Sequence, residues 1–326
     1  MLPKKYTPPV SFADSPLREG AKLFDDGEVQ RMDHNKRIFA LGFFDGVHLG
    51  HQALLAECVR LAKAMDVETA AVTFERHPLS LFRTDVPPLL STLQDRFRLL
   101  LRYGIDHVYP LPVTEAVMGK DWREFLLELM ESGAAGFVCG DDFRFGRGGA
   151  GNAEALRQFC RERRLPCVIV PEQKLNGVRI SSSYIRRQIE SGDMATAVRY
   201  LGHGHMLTGT VVTGRRLGHK LGFPTANIEL PRDVIVPRYG VYACYAYVGQ
   251  ARYMAVCNVG SRPTVQGHQV RTETWLLDFS GDLYGQPVTL EFLYFLRPEQ
   301  RFESVEVLKE AVLHDAEMTR RFFEKT

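Results

Sequence analysis

The property that most limits how this chain can fold is a change of rhythm between residues 187 and 203. Up to about residue 170, short apolar runs alternate with longer amphipathic ones. The runs at 38–41, 69–74, 107–111, 136–140 and 167–170 read as strands, and the segments 53–65, 92–103, 121–133 and 152–164 have helical periodicity. Strands separated by helices of that length require an α/β arrangement, a Rossmann-like and mostly parallel sheet covered on both faces. Ligands of such sheets lie beyond the carboxyl ends of the strands. After a helical connector at 184–201 the pattern turns β-rich, with runs at 205–212, 239–248, 251–259, 272–279 and 288–295 divided by turns such as Val248-Gly249-Gln250 and Ser280-Gly281-Asp282. This predicts a small antiparallel barrel, followed by an amphipathic helix at 304–323. At 326 residues the chain exceeds one hydrophobic core. Two domains are expected, 1–186 and 204–326, with 187–203 as linker. Residues 1–36, with Pro8-Pro9 and Asp25-Asp26-Gly27, show little periodicity and read as a lead-in.

Bulk properties narrow the partners. Lys plus Arg number 41 against 39 Asp plus Glu, and a formal charge of +2 offers no argument for nucleic acid. The basic cluster Arg161-Glu162-Arg163-Arg164 reads as a solvated helix face. Six cysteines form no CxxC pair and sit mostly in apolar runs, as small core residues of a reducing compartment do. No apolar run approaches 18 residues and no secretory pattern opens the chain. A cytoplasmic protein acting on small molecules, with neither membrane nor nucleic acid as partner, is expected.

The segment GFFDGVHLGHQ, residues 42–52, places His48 and His51 one helical turn apart where a strand gives way to a helix. Free backbone N–H groups at such a turn attract phosphate, Gly46 supplies an unusual backbone angle, and Gly50 leaves room for a ligand. The glycine order lacks both GxGxxG and the GK[ST] ending of a P-loop. Further polar motifs follow later strands: FERHP with His77, and GDDFRFGRGGAGN with Asp142, Phe143 and Asn152. In ISSSYIR, residues 180–186, the serines suit a helix cap, whereas Arg186 suits a phosphate clamp.

In the second half, GRRLGHKLGFPTAN spaces Gly214, Gly218 and Gly222 four apart and ends in a turn where Thr225 and Asn227 offer short oxygen ligands suited to Mg2+. Glu273 shares a strand face with Trp275 and Leu277. An acid on an apolar face is either ion-paired or a proton acceptor.

Taken in order, these motifs resemble the two halves of bacterial bifunctional riboflavin kinase/FAD synthetases, over roughly residues 37–320. HLGH matches the family's HxGH signature, and ISSSYIR its ISSTxxR-like signature with Ser183 at the usual Thr. The resemblance implies two reactions: ATP-dependent phosphorylation of riboflavin to FMN, and transfer of AMP from ATP onto FMN, giving FAD and pyrophosphate. It implies that His48, His51 and Arg186 stabilise the ATP phosphates, and that Gly42, Asp45, Gly46, Gly50, His77, Asp142, Ser182 and Ser183 surround the nucleotide. Phe143 to Asn152 would line the flavin side. In the kinase half it implies Glu273 as general base, Thr225 and Asn227 as ligands of Mg2+-ATP, and the three glycines and Arg297 around the substrates. Four positions depart from the family pattern: Phe43 for Asn, Arg76 for Pro, His219 for Arg, and Trp275 for His or Tyr. Two alternatives share parts of the pattern, namely a riboflavin kinase with a degenerate adenylyltransferase half and a cytidylyltransferase-type enzyme acting on another phosphorylated alcohol.

Overall fold

The computed structural model describes residues 35–214, 218, 221–264 and 267–325, with 262–269 as backbone alone. Most of the expected lead-in therefore lies outside the described residues, as do Arg215, Arg216, His219 and Lys220 of the glycine-rich motif. The chain forms two compact units, one of residues 35–87 and 96–181, the other of residues 88–95 and 182–325.

The first unit follows the α/β order. Its elements are β1 (Arg37–Leu41), α1 (Leu49–Met65), β2 (Glu68–Phe74), α2 (Leu93–Arg102, counted with this unit from Arg96 on), β3 (His107–Leu111), α3 (Glu115–Met118), α4 (Trp122–Glu131), β4 (Ala134–Gly140), the ribbon β5 (Arg144–Phe145) and β6 (Gly151–Asn152), α5 (Ala153–Glu162) and β7 (Cys167–Val170). A second small ribbon, β8 (Lys174–Leu175) and β9 (Val178–Arg179), follows. Five strands form a parallel sheet in the order β3-β2-β1-β4-β7. The chain winds from β1 to one side, then returns to β1 and winds to the other. The crevice beyond the carboxyl ends of β1 and β4 is thus the switch point where α/β sheets bind ligands. All five residues of β1 are buried, as a central strand covered on both faces requires. Phe39, Phe137, Leu126, Leu156 and Phe159 anchor the core beneath it.

The second unit starts with α6 (Ser182–Ser191) and α7 (Met194–Leu201), divided by Gly192 at φ 86° and capped by Asp193, which accepts from Thr196 N at 3.1 Å. Six strands then close an antiparallel barrel: β10 (His205–Val212), β11 (Ala226–Glu229), β12 (Gly240–Val248), β13 (Ala251–Thr264), β14 (Gly267–Leu276) and β15 (Pro287–Pro298), in the order β10-β11-β14-β13-β12-β15. Closure removes the exposed edges of an open sheet. The C-terminal helix Val305–Glu324 packs Ala316 on Val241, Val256 and Leu277 outside the barrel, and stacks Phe323 on Tyr245 at 4.2 Å.

Two local readings change. PTAN is not only a turn, since Ala226 and Asn227 open strand β11. The β13–β14 hairpin also runs longer than its apolar stretches, because residues 259–264 and 267–272 pair through backbone hydrogen bonds that need no hydrophobic pattern. Among the described residues, no helix is long and apolar enough to cross a membrane.

Candidate active sites

In the parallel-sheet unit, the turn after β1 is held in an uncommon conformation. Phe44, Gly46 and Val47 have φ of 55°, 74° and 38°. Glycine suits that region, whereas a β-branched valine there is strained by roughly 1–3 kcal/mol. The strain is contained from two sides: Gln52 Nε2 donates to Val47 O at 2.9 Å, and Thr73 Oγ1 donates to Phe43 O at 2.7 Å. The reward is the placement of two imidazoles. His48 caps α1, its Nδ1 accepting from His51 N at 3.3 Å, and the two rings stack with centroids 3.7 Å apart and planes within 10°.

This geometry sets protonation. Because His48 Nδ1 accepts, the proton of its neutral form sits on Nε2, which is left as a donor. His51 stays neutral: burial, then the neighbouring His48 and Arg96, hold its pKa well below the usual imidazole value. Although part of the His51 side chain reaches solvent, its Nδ1 is buried without a partner. Asp45 is buried at the same turn, and Gly50 leaves His48 its place, a Cβ there lying 3.3 Å from the ring.

The other expected residues each have contacts of their own. His77 caps the short turn Pro78–Leu81 through Nδ1, which accepts from Leu79 N at 3.2 Å, and the Phe43 ring meets it edge-on at 5.4 Å. Arg76 turns away to donate to Val113 O at 2.9 Å. A cleft of about 210 Å³ opens beside them, lined by Gly42, Phe74, Pro78, Lys120, Phe143 and Phe145. Phe143 stacks on Phe145 at 5.7 Å. Asp142 is exposed and ion-paired with Arg179, and Asn152 caps α5 by accepting from Ala155 N at 2.9 Å. Ser182, Ser183 and Arg186 belong to the second unit, where Ser182 opens α6, Ser183 is exposed, and buried Arg186 donates from Nε to Pro88 O at 2.6 Å.

The barrel carries its own cleft, of about 160 Å³. On β14 the side chains alternate, with Thr272, Thr274 and Leu276 buried and Glu273 and Trp275 turned into the cleft. In the ladder Glu273 lies directly opposite Asn227 of β11 on one side and Asn258 of β13 on the other. Gly218, Thr225 and Phe223 line the same cleft, and the Phe223 ring lies 5.9 Å from Trp275. Gly214 presses on Asn227 so closely that a Cβ would stand 2.1 Å from its Nδ2. Gly222, at φ 89°, turns the chain before PTAN. Arg297 holds Asp315 of the C-terminal helix in a bidentate pair, Nε to Oδ1 at 3.0 Å and Nη2 to Oδ2 at 2.7 Å, so that the helix forms one wall.

The donor set suits a hard cation. Asn227 Oδ1 is buried without a hydrogen-bond partner, and Thr225, two residues before it, lines the cleft and offers a second neutral oxygen. Asp315, Thr73 and Arg96 were not singled out by sequence reasoning. Arg96 in particular sits in an amphipathic helix beside Arg98 and Arg102, where nothing in the pattern separates a buried arginine from a solvated one.

Known proteins agree with this division. Residues 30–184 match the family model described as FAD synthetase, and residues 201–323 the one described as riboflavin kinase. The bifunctional riboflavin kinase/FMN adenylyltransferase of Listeria monocytogenes is 34% identical over 298 residues, spanning 90% of this chain and 94% of that protein. The Escherichia coli K12 protein of the same description is 35% identical over 290 residues, spanning 88% and 92%. A Streptococcus pneumoniae crystal structure described as a macrolide-efflux protein superposes with a TM-score of 0.78 at 29% identity, covering 88% of this chain and 95% of that one. With both halves matched in order and relatives above 30% identity aligned almost end to end, the chain belongs to the bifunctional riboflavin kinase/FMN adenylyltransferase family.

Proposed function

We propose that the chain makes FAD in two ATP-dependent steps, phosphorylating riboflavin in the barrel and adenylylating the resulting FMN in the parallel-sheet unit. The observation that carries this reading is that each unit owns a cleft lined by its own motifs. We assign the two steps to domains 1–186 and 204–326, divided at 187–203; the compact units differ in grouping 88–95 and 182–203 with the barrel.

In the barrel, Glu273 accepts the proton of the riboflavin 5′-hydroxyl as that oxygen attacks the γ-phosphorus of ATP, whose bond to the β,γ-bridging oxygen breaks to release ADP. Asn227 and Asn258 lie opposite Glu273 in the strand ladder, one on each side. Trp275 and Phe223 give the flavin ring an aromatic wall, and Arg297 holds the helix that closes the cleft. Thr225 and Asn227 would hold Mg2+, which when bound neutralises phosphate charge.

In the parallel-sheet unit the nucleophile is the FMN phosphate, already ionised and in no need of a base. The requirement is alignment and stabilisation of charge on the α-phosphate of ATP. His48 offers Nε2–H, and His51 remains a neutral hydrogen-bonding group beside it. Phe143, Phe145 and Phe74 line the apolar cleft proposed for the flavin, with Asn152 on the flavin side, while Asp45, Gly46, His77 and Asp142 of the same unit are the groups proposed for the nucleotide. Substrates are small molecules, and six free thiols support a reducing, cytoplasmic setting.

The test is to supply riboflavin, ATP and Mg2+ and separate the flavins. Appearance of FMN and then FAD is expected. FMN alone would reduce the activity to the kinase, and neither product would overturn the reading.

A further inference from the structure

We propose that Arg96 is a positioning residue for adenylyl transfer, holding through Thr73 and Phe43 the turn that carries His48 and His51; the inference rests on the reading of that site given above. The turn contains three residues at positive φ within four positions, and Gln52 secures only its distal end. Its proximal end is fixed by a relay. Arg96 Nη1 donates to Thr73 Oγ1 at 3.0 Å and to Phe74 O at 2.7 Å, and Thr73 Oγ1 donates onward to Phe43 O at 2.7 Å. The guanidinium also lies over the Phe43 ring, 4.5 Å from its centroid. One side chain thereby ties the end of β2, from which FERHP departs, to the turn that opens α1.

Stability alone is a poor reason to keep such a group. Arg96 is fully buried, and its Nε and Nη2 have no hydrogen-bond partner. Isolating part of a cation from water is costly, and an apolar side chain of similar length would avoid that cost. Burial pulls its pKa down to about 10 while Asp45 pulls it up, so the charge persists at neutral pH. That same charge opposes protonation of His51. Phe43, where the family often carries Asn, acquires a purpose as the platform on which this cation rests.

The experiment compares Arg96→Met, Arg96→Lys and Thr73→Val in the full chain. FAD formation is measured from FMN with Mg2+-ATP, and FMN formation from riboflavin in the same preparation. Arg96→Met is expected to lower kcat for FAD formation on the order of 10²-fold, the cost of misplacing groups by about an ångström, with KM for FMN and ATP changed less than about threefold. Arg96→Lys, which keeps the charge and one donor, should recover part of that loss. Thr73→Val removes only the bridging hydroxyl and should lower kcat about tenfold. FMN formation should be unchanged throughout. If Arg96→Met does not fold, Thr73→Val decides by the same criterion. FAD formation within threefold of wild type in the folded variants would overturn the inference alone, as would a loss confined to KM or shared equally by the kinase. Wild-type protein that forms no FAD from FMN would overturn the adenylyltransferase reading and the inference with it.

Discussion

Asp95 gives a quantitative test of what completes the barrel unit. Its carboxylate is buried, and it accepts from Thr208 N at 3.1 Å, from Thr208 Oγ1 and from Thr92 Oγ1 at 2.7 Å. Thr208 lies on β10, whose own pairing with β15 leaves that N–H to the carboxylate. Asp95→Ala orphans the amide in a place water does not reach, at roughly 1–3 kcal/mol. The Thr208 hydroxyl keeps Thr289 Oγ1 at 2.6 Å, so it adds little. Losing an acid from the first turn of α2 adds about 0.5 kcal/mol. A total of about 1.5–3.5 kcal/mol follows. The assay is urea unfolding in a Trp122→Phe background, where Trp275 becomes the only tryptophan and reports the barrel unit. Asp95→Asn keeps one acceptor and should lose about half as much. A change below about 0.5 kcal/mol for Asp95→Ala would refute the argument, because a buried orphan amide does not come that cheaply. The same reasoning applies to an excised 187–326 fragment, which also lacks the Leu89 strand contacts with Asp233 and Ile235 at 2.8 and 2.7 Å. It should be less stable than the barrel within the full chain.

Four further outcomes are expected. His51→Ala should lower FAD formation from FMN by order 10²-fold while leaving FMN formation intact, read by separating flavins at saturating substrate. Glu273→Gln should lower riboflavin phosphorylation by roughly 10²–10⁴ without affecting conversion of supplied FMN to FAD. Gly214→Ala should raise KM for Mg2+-ATP in the kinase reaction by about tenfold or more, since its Cβ would stand 2.1 Å from Asn227 Nδ2. His205 is buried and pulled down to about 3, first by burial and then by His203. Above its unfolded value near 6.5 it is neutral in both states; below that the unfolded chain takes up a proton the fold refuses, so stability falls with falling pH, by ~2 kcal/mol between pH 7 and pH 5, and His205→Phe should flatten that slope.

Legibility followed the physics of each feature. The strand-helix alternation and the later β-rich pattern announced the parallel sheet and the barrel because burial leaves periodic traces. His48, His51 and Glu273 stood out as candidates because a polar group at a strand end or on an apolar face breaks such a pattern, and Asn227 because it ends a turn rich in short oxygen donors. Arg96 was not, since an arginine in an amphipathic helix carries the same letters whether it faces solvent or lies over Phe43. Asp95 was hidden for another reason: its partner, Thr208, is 113 positions away, and no local periodicity reports so distant a pair. The extended β13–β14 hairpin is backbone pairing with little apolar signature. Phe43 looked like a lost polar contact and gained sense only when its cation was seen.

On the proposed reading, one chain needs two kinds of polar equipment. An alcohol attacking phosphorus must shed a proton, and the barrel supplies a carboxylate between two asparagines, turned into an aromatic-walled cleft. A phosphate attacking phosphorus has no proton to lose and gains nothing from a base. There the imidazoles do better uncharged and rigid, and stacking at 3.7 Å serves both ends, because two rings so close cannot both take up charge without mutual repulsion. Arg96 adds to that opposition from behind the turn and fixes the geometry at the same time. Acid should then bring adenylyl transfer no benefit through His51, whose proton affinity the site itself suppresses.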